Sequence, residues 1–208
     1  MSRLLTALLA CVVVTLLLAV AGCGDQTETE KTTPEATATT PSTASGDDWS
    51  SLLAEVRTLE DENAALETEL GELMDGLDFE DPSPEAAAAA LPRLKDARAV
   101  VGEAKENFAS LTALWDEMAR LNISEQNNTY AGQQKKIAEL DARTTVLMDK
   151  IFATLEDMLS HLTTLSVADS ERLQNRISDL SATGNGLEMR INELKQASEQ
   201  YYNEHLSE

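Results

Sequence analysis

From Asp47 onward, apolar side chains recur in alternating steps of three and four residues, the spacing of amphipathic helices that pack along a seam. Four such segments follow one another. The second ends near Leu121, the third carries the pattern from Tyr130 to Leu165, and the fourth begins near Ala168. We find no strand candidate of useful length. The pattern predicts an all-α domain over residues 47–208, an antiparallel bundle of long helices, with an extended two- or three-stranded coiled coil as the alternative.

The first segment has one heptad seam and strongly acidic flanks. Residues 47–81 hold 13 acids and one base, Arg57, so like charges would face each other in a parallel homodimer. We therefore expect this helix to pack against the later helices of its own chain or against a different partner. One seam position is held by Leu52, Leu59, Leu66 and Leu73, and the alternating one by Trp49, Val56, Asn63, Leu70 and Leu77.

Local signals predict where helices begin and break. Asp47 or Asp48 can cap the first helix, and Ser83 followed by Pro84 predicts the start of the second. Pro92 predicts a kink or a restart. The two glycines of residues 183–186 predict either a hinge or one helix with a weak point, and we favour one helix because the seam pattern continues across them.

The first 22 residues have the layout of a secretory signal. Arg3 precedes an uncharged apolar run, Leu4 to Val20, which is followed by small residues. Val20-Ala21-Gly22-Cys23 resembles the lipobox of prokaryotic lipoproteins in all four positions. The resemblance implies that the signal is cut between Gly22 and Cys23, and that the Cys23 thiol carries a diacylglyceryl group. A retained membrane-spanning helix is the alternative.

Residues 23–46 are predicted to form the lipidated cysteine and a disordered tether. From residue 24 to 46 the chain is rich in Thr, Pro and Glu and contains no Leu, Ile, Val, Met or aromatic residue, so it cannot bury enough area to offset chain ordering. Two acyl chains hold a protein stably on a bilayer. We therefore expect the mature protein to be anchored to the cell membrane and exposed on its extracytoplasmic side.

Charge and residue types narrow the function classes. The chain has 37 acidic and 16 basic residues, a net charge of −21, which argues against a nucleic-acid partner. Cys11 leaves with the signal and Cys23 is used for lipidation, so no thiol is left for a disulfide or a metal. His161 stands four residues after Asp157, and several acids cluster around Gly76, but neither set matches a known metal motif. No catalytic motif is present, so we predict no enzyme, no cofactor and no metal.

Two functions are compatible with these features. The first is a structural spacer or protein-docking module that binds another envelope protein. The second is a helical bundle that binds or senses a small ligand or a metal ion and acts through a partner protein.

Overall fold

Four long helices make up nearly all of the described part of the protein. The computed structural model describes residues 43–75, 77, 83–121 and 123–207, and within these ranges it contains no strand. The helices are α1 (Thr43–Asp75), α2 (Pro84–Met118), α3 (Glu125–Ser160) and α4 (Val167–His205). Each has 33 to 39 residues and is therefore about 50 to 58 Å long. The predicted all-α class is confirmed.

Successive helices pack side by side and run antiparallel. The two ion pairs of Arg98 on α2 with Asp149 and Glu156 on α3 fix the register of that pair. A hydrogen bond of 2.9 Å from Gln134 on α3 to Ser198 on α4 fixes the next. In both pairs, residues early in one helix lie beside residues late in the next. The antiparallel helical bundle predicted from the seams is therefore the observed packing.

Side-chain caps start three of the helices. Ser83 accepts a hydrogen bond of 3.1 Å from the backbone N–H of Ala86, with Pro84 as the first helical residue, as the sequence predicts. Ser124 caps α3 and Ser166 caps α4 in the same way. Each serine oxygen satisfies a backbone donor that has no partner inside its helix. These caps place the boundaries of α2, α3 and α4 within a few residues of the predicted ones.

One prediction about a helix boundary is wrong, and one of the two alternatives for Pro92 is ruled out. The first helix begins at Thr43, so Asp47 and Asp48 lie inside it and do not cap it. Extending an existing helix by a turn costs far less than nucleating one, which lets residues 43–46 join α1. The restart at Pro92 is also not found, because α2 continues through this residue. Ala90 and Leu94 are buried on either side of Pro92 and keep that face of the helix on the core.

The fourth helix passes through residues 183–186 without a break, as we favoured from the seam pattern. Gly184 is one of its buried positions. The glycine lies at a point where α4 faces the core, and a residue without a side chain fits there. The interpretation of one continuous helix is confirmed.

The apolar core consists of two clusters. The first core cluster lies towards the α1–α2 connection and draws on all four helices, with Leu70, Leu94, Ile151 and Ile177 among its members. The second core cluster lies at the other end and is built from α1, α2 and α3 around Trp115. Side chains from the predicted seam of α1 contribute to both clusters. The second core cluster consists of Val56, Leu111, Trp115, Met118, Ala131 and Ala138.

The helices pack in chain order, and α1 and α4 stay apart. Within the described residues, Cα atoms approach to 8 Å between α1 and α2, between α2 and α3 and between α3 and α4, but not between α1 and α4. The backbones of α1 and α4 are therefore farther apart than those of the three successive pairs. The two core clusters are formed by described residues of these four helices.

Candidate binding sites

The predicted lipidation site lies outside the described residues. Cys23, which is expected to carry the lipid, and Gly22, after which the signal would be cut, both precede residue 43. Their role stays a prediction. Among residues 43–75, 77, 83–121 and 123–207, no helix is long and apolar enough to cross a membrane.

The structure brings His161 and Asp157 together at the end of α3. Nδ1 of His161 lies 3.3 Å from a carboxylate oxygen of Asp157 and 3.0 Å from the backbone oxygen of the same residue. Both side chains are more than half exposed. In the part of the chain that the structure describes, no three His, Cys, Asp or Glu side chains are grouped so that they could hold a metal ion. The pair therefore forms a contact within the last turn of α3, where His161 occupies the C-cap position.

A polar layer lies at mid-height of the bundle, between the two core clusters. Asn63 on α1 is 8% exposed, and neither atom of its amide has a hydrogen-bond partner among the described residues. Thr144 and Thr145 on α3 are also buried, but their hydroxyls donate to backbone oxygens of their own helix. Asn63 alone is thus left unsatisfied in this layer, at a cost of about 1 to 3 kcal/mol for each unpaired group.

Acidic side chains surround this layer. Burial raises the pKa of Asp141 on α3 to about 6, and Lys195 on α4 offsets part of that effect. Burial also raises the pKa values of Glu60 and Glu67 on α1, and again Lys195 opposes the shift. Lys195 therefore lies within electrostatic reach of three carboxylates on two other helices. It stabilises their ionised forms only in part, since all three pKa values stay raised.

An apolar groove runs over α3 and is bounded by α2 and α4. Its volume is about 660 Å³. The register set by Arg98 places Lys105 of α2 beside the part of α3 from Arg143 to Lys150, and α4 contributes Thr183 and Leu187. The apolar lining residues are Ala109, Ala142, Val146, Leu147 and Leu187. The two alanines leave the space that larger side chains would fill.

The rim of this groove is cationic. Lys105, Arg143 and Lys150 line it, together with a single acid, Glu106. Within residues 43–75, 77, 83–121 and 123–207, none of the three cations forms an ion pair with a carboxylate. On a chain with a net charge of −21, this is a local reversal of sign. A cationic rim around an apolar floor is complementary to a ligand with an apolar body and a negative group.

Asn63 was predictable as a seam position from the sequence, but the groove was not. Arg143 and Lys150 stand seven residues apart on one helix, a spacing that places both on the same face. That spacing was the only available signal, because the partners on α2 and α4 depend on the register between helices. No family model, no curated protein and no solved structure matches this chain.

Proposed function

We propose that this chain is a membrane-anchored extracytoplasmic lipoprotein whose helical bundle is a spacer and binding module. Cys23 would carry the lipid, and residues 24–42 would connect it to the bundle. The observation that carries the binding role is the cation-rimmed apolar groove over α3, which the rest of the bundle does not cover. A chain that only held two objects apart would have no need of an uncovered apolar groove.

The anchor is supported by the sequence of the first 23 residues. The lipobox resemblance, Val20 to Cys23, stands directly after an apolar run of signal-peptide length. The first described helix, α1, begins at Thr43, which is 20 positions after Cys23. A lipid on Cys23 would thus keep the four helices, each about 50 to 58 Å long, close to one membrane surface.

A small ligand is a second candidate for the groove, beside the envelope protein predicted from the sequence. The volume of the groove, about 660 Å³, lies in the range of small-molecule sites, roughly 300 to 1,000 Å³. A stable protein interface needs about 1,000 Å² or more of buried area, which would require surface well beyond the ten residues that line the groove.

The anchoring is tested in the native cells. Radiolabelled palmitate should enter the wild-type protein, and Cys23→Ser should abolish the label and the membrane retention of the mature form. Label that persists in the Cys23→Ser variant would contradict the anchor.

The binding role is tested by photo-crosslinking. A photoreactive residue at Ala109 in the groove should form an adduct, whereas the same residue at Glu139, an exposed position on α3 outside the groove, should not. A protein adduct would support docking, and an adduct with a small molecule would support the second candidate. Equal adducts at both positions, or none at either, would contradict the binding module.

A further inference from the structure

We propose that the groove over α3 binds a single-chain fatty carboxylate, with the tail along the apolar floor and the carboxylate among Lys105, Arg143 and Lys150. This inference rests on the proposed binding function and names the class of ligand. The lipid anchor would also keep the groove close to a source of acyl chains.

The charges around the groove select an anion. Three of the lining residues are cations and one, Glu106, is an acid, while acids outnumber bases by 37 to 16 in the whole chain. Lys105 and the two cations of α3 have no carboxylate partner within the described ranges, so an incoming anion breaks no ion pair to reach them. Lys105 approaches from α2, so the cations flank the floor from two helices.

The floor selects an acyl chain. Between Arg143 and Lys150 lie Val146 and Leu147, and Ala109 and Leu187 complete the apolar surface from the neighbouring helices. Seven residues of helix span about 10 Å, which is two turns. Burying each methylene of a tail along this surface is favourable, whereas a short polar anion would leave the floor in water.

The shape of the groove favours one chain over two and over a peptide helix. The floor is the surface of a single helix, α3, with α2 on one side and α4 on the other. A docked helix would need apolar contacts over several turns, but the floor is only about two turns long. A two-chain phospholipid would need two apolar tracks, but the apolar lining forms only a single track.

The test uses residues 24–208, produced without the signal and without Cys23. Isothermal titration with dodecanoate below its micelle concentration should give one site per chain. Backbone amide shifts in NMR spectra should change around Lys105, Val146 and Leu187. Dodecyltrimethylammonium, which has the same tail and the opposite charge, should bind at least tenfold more weakly.

Two variants separate the charges from the floor. Replacing Lys105, Arg143 and Lys150 together by Gln should weaken dodecanoate binding at least tenfold. Ala109→Trp should fill the groove and weaken binding to a similar extent while leaving the cations in place. A matched control removes the same number of positive charges from exposed positions outside the groove, and it should bind like the wild type. The control substitutions are Arg93→Gln, Lys95→Gln and Arg190→Gln.

Circular dichroism melting verifies that each variant is folded. If the triple Gln variant does not fold, Ala109→Trp alone still tests whether the groove binds dodecanoate. Absence of one-site binding by dodecanoate would overturn the inference, and so would equal weakening by the control variant. Equal binding of dodecyltrimethylammonium would overturn the preference for a carboxylate, but the groove would remain a binding site for an alkyl chain. Failure of the proposed lipoprotein function is seen separately, in the palmitate labelling.

Discussion

Asp141 is a half-buried carboxylate whose ionised form is less stable in the folded chain than in water. Burial raises its pKa from 3.8 to about 6, and the nearby Lys195 lowers it only in part. At pH 7 the group is ionised in the folded and in the unfolded chain, so the raised pKa of the folded state means a loss of stability. At about 1.4 kcal/mol per unit, the loss is about 3 kcal/mol. We predict that Asp141→Asn raises the free energy of unfolding at pH 7 by about 1 to 3 kcal/mol, since the buried amide retains part of the cost.

The pH dependence follows from the sign of the shift. Because the pKa is higher in the folded chain, the folded state binds more protons than the unfolded state between about pH 4 and pH 6. The contribution of Asp141 to stability therefore falls as the pH rises through this window, and its full cost is reached above pH 6. The gain from Asp141→Asn should shrink from its value at pH 7 towards zero near pH 4.

The assay is urea unfolding of residues 24–208, followed by circular dichroism at pH 7 and pH 4. Glu139→Gln is the matched control, because Glu139 is an exposed acid two residues away on the same helix. The control should change the free energy of unfolding by less than about 0.5 kcal/mol. If Asp141→Asn destabilises the bundle at pH 7, or gains as much at pH 4 as at pH 7, the reasoning is refuted.

Three further substitutions test the packing by the same unfolding measurement. Asn63→Leu should stabilise the bundle by about 1 to 3 kcal/mol, because it removes an amide whose two polar atoms are buried without a partner; a loss would show that the amide is satisfied in solution. Leu94→Ala should cost about 2 to 5 kcal/mol, since Leu94 is fully buried in the first core cluster, and a cost below about 1 kcal/mol would contradict that packing. Ser83→Ala should cost about 1 kcal/mol through the lost cap, and no change would mean that Ser83 does not start α2.

Most of the fold could be predicted from the spacing of apolar residues. Val56 and Leu70 at one seam position of α1 are buried, as the pattern requires, and Leu59 at the other seam position is half-buried. The cap at Ser83 was also predictable, because it depends only on residues next to each other in the chain. The start of α1 was not, since residues 43–46 carry no helix signal of their own and join a helix that the rest of the segment stabilises.

The candidate groove and the polar layer could not be predicted in the same way. Asp141 does not lie on a predicted seam, and its burial depends on how closely α4 approaches α3. The cations of the groove come from positions 38 and 45 residues apart in the chain, Lys105 against Arg143 and Lys150. Which of them meet is decided by the register of α2 on α3, and that register rests on contacts such as those of Arg98.

The proposed anchoring depends most on the state of Cys23 in the cell. Mass spectrometry of the protein purified from native membranes measures it directly. We predict that the polypeptide begins at Cys23 and that this residue carries a diacylglyceryl group. A polypeptide that begins at Met1 with an unmodified thiol at position 23 would contradict the account.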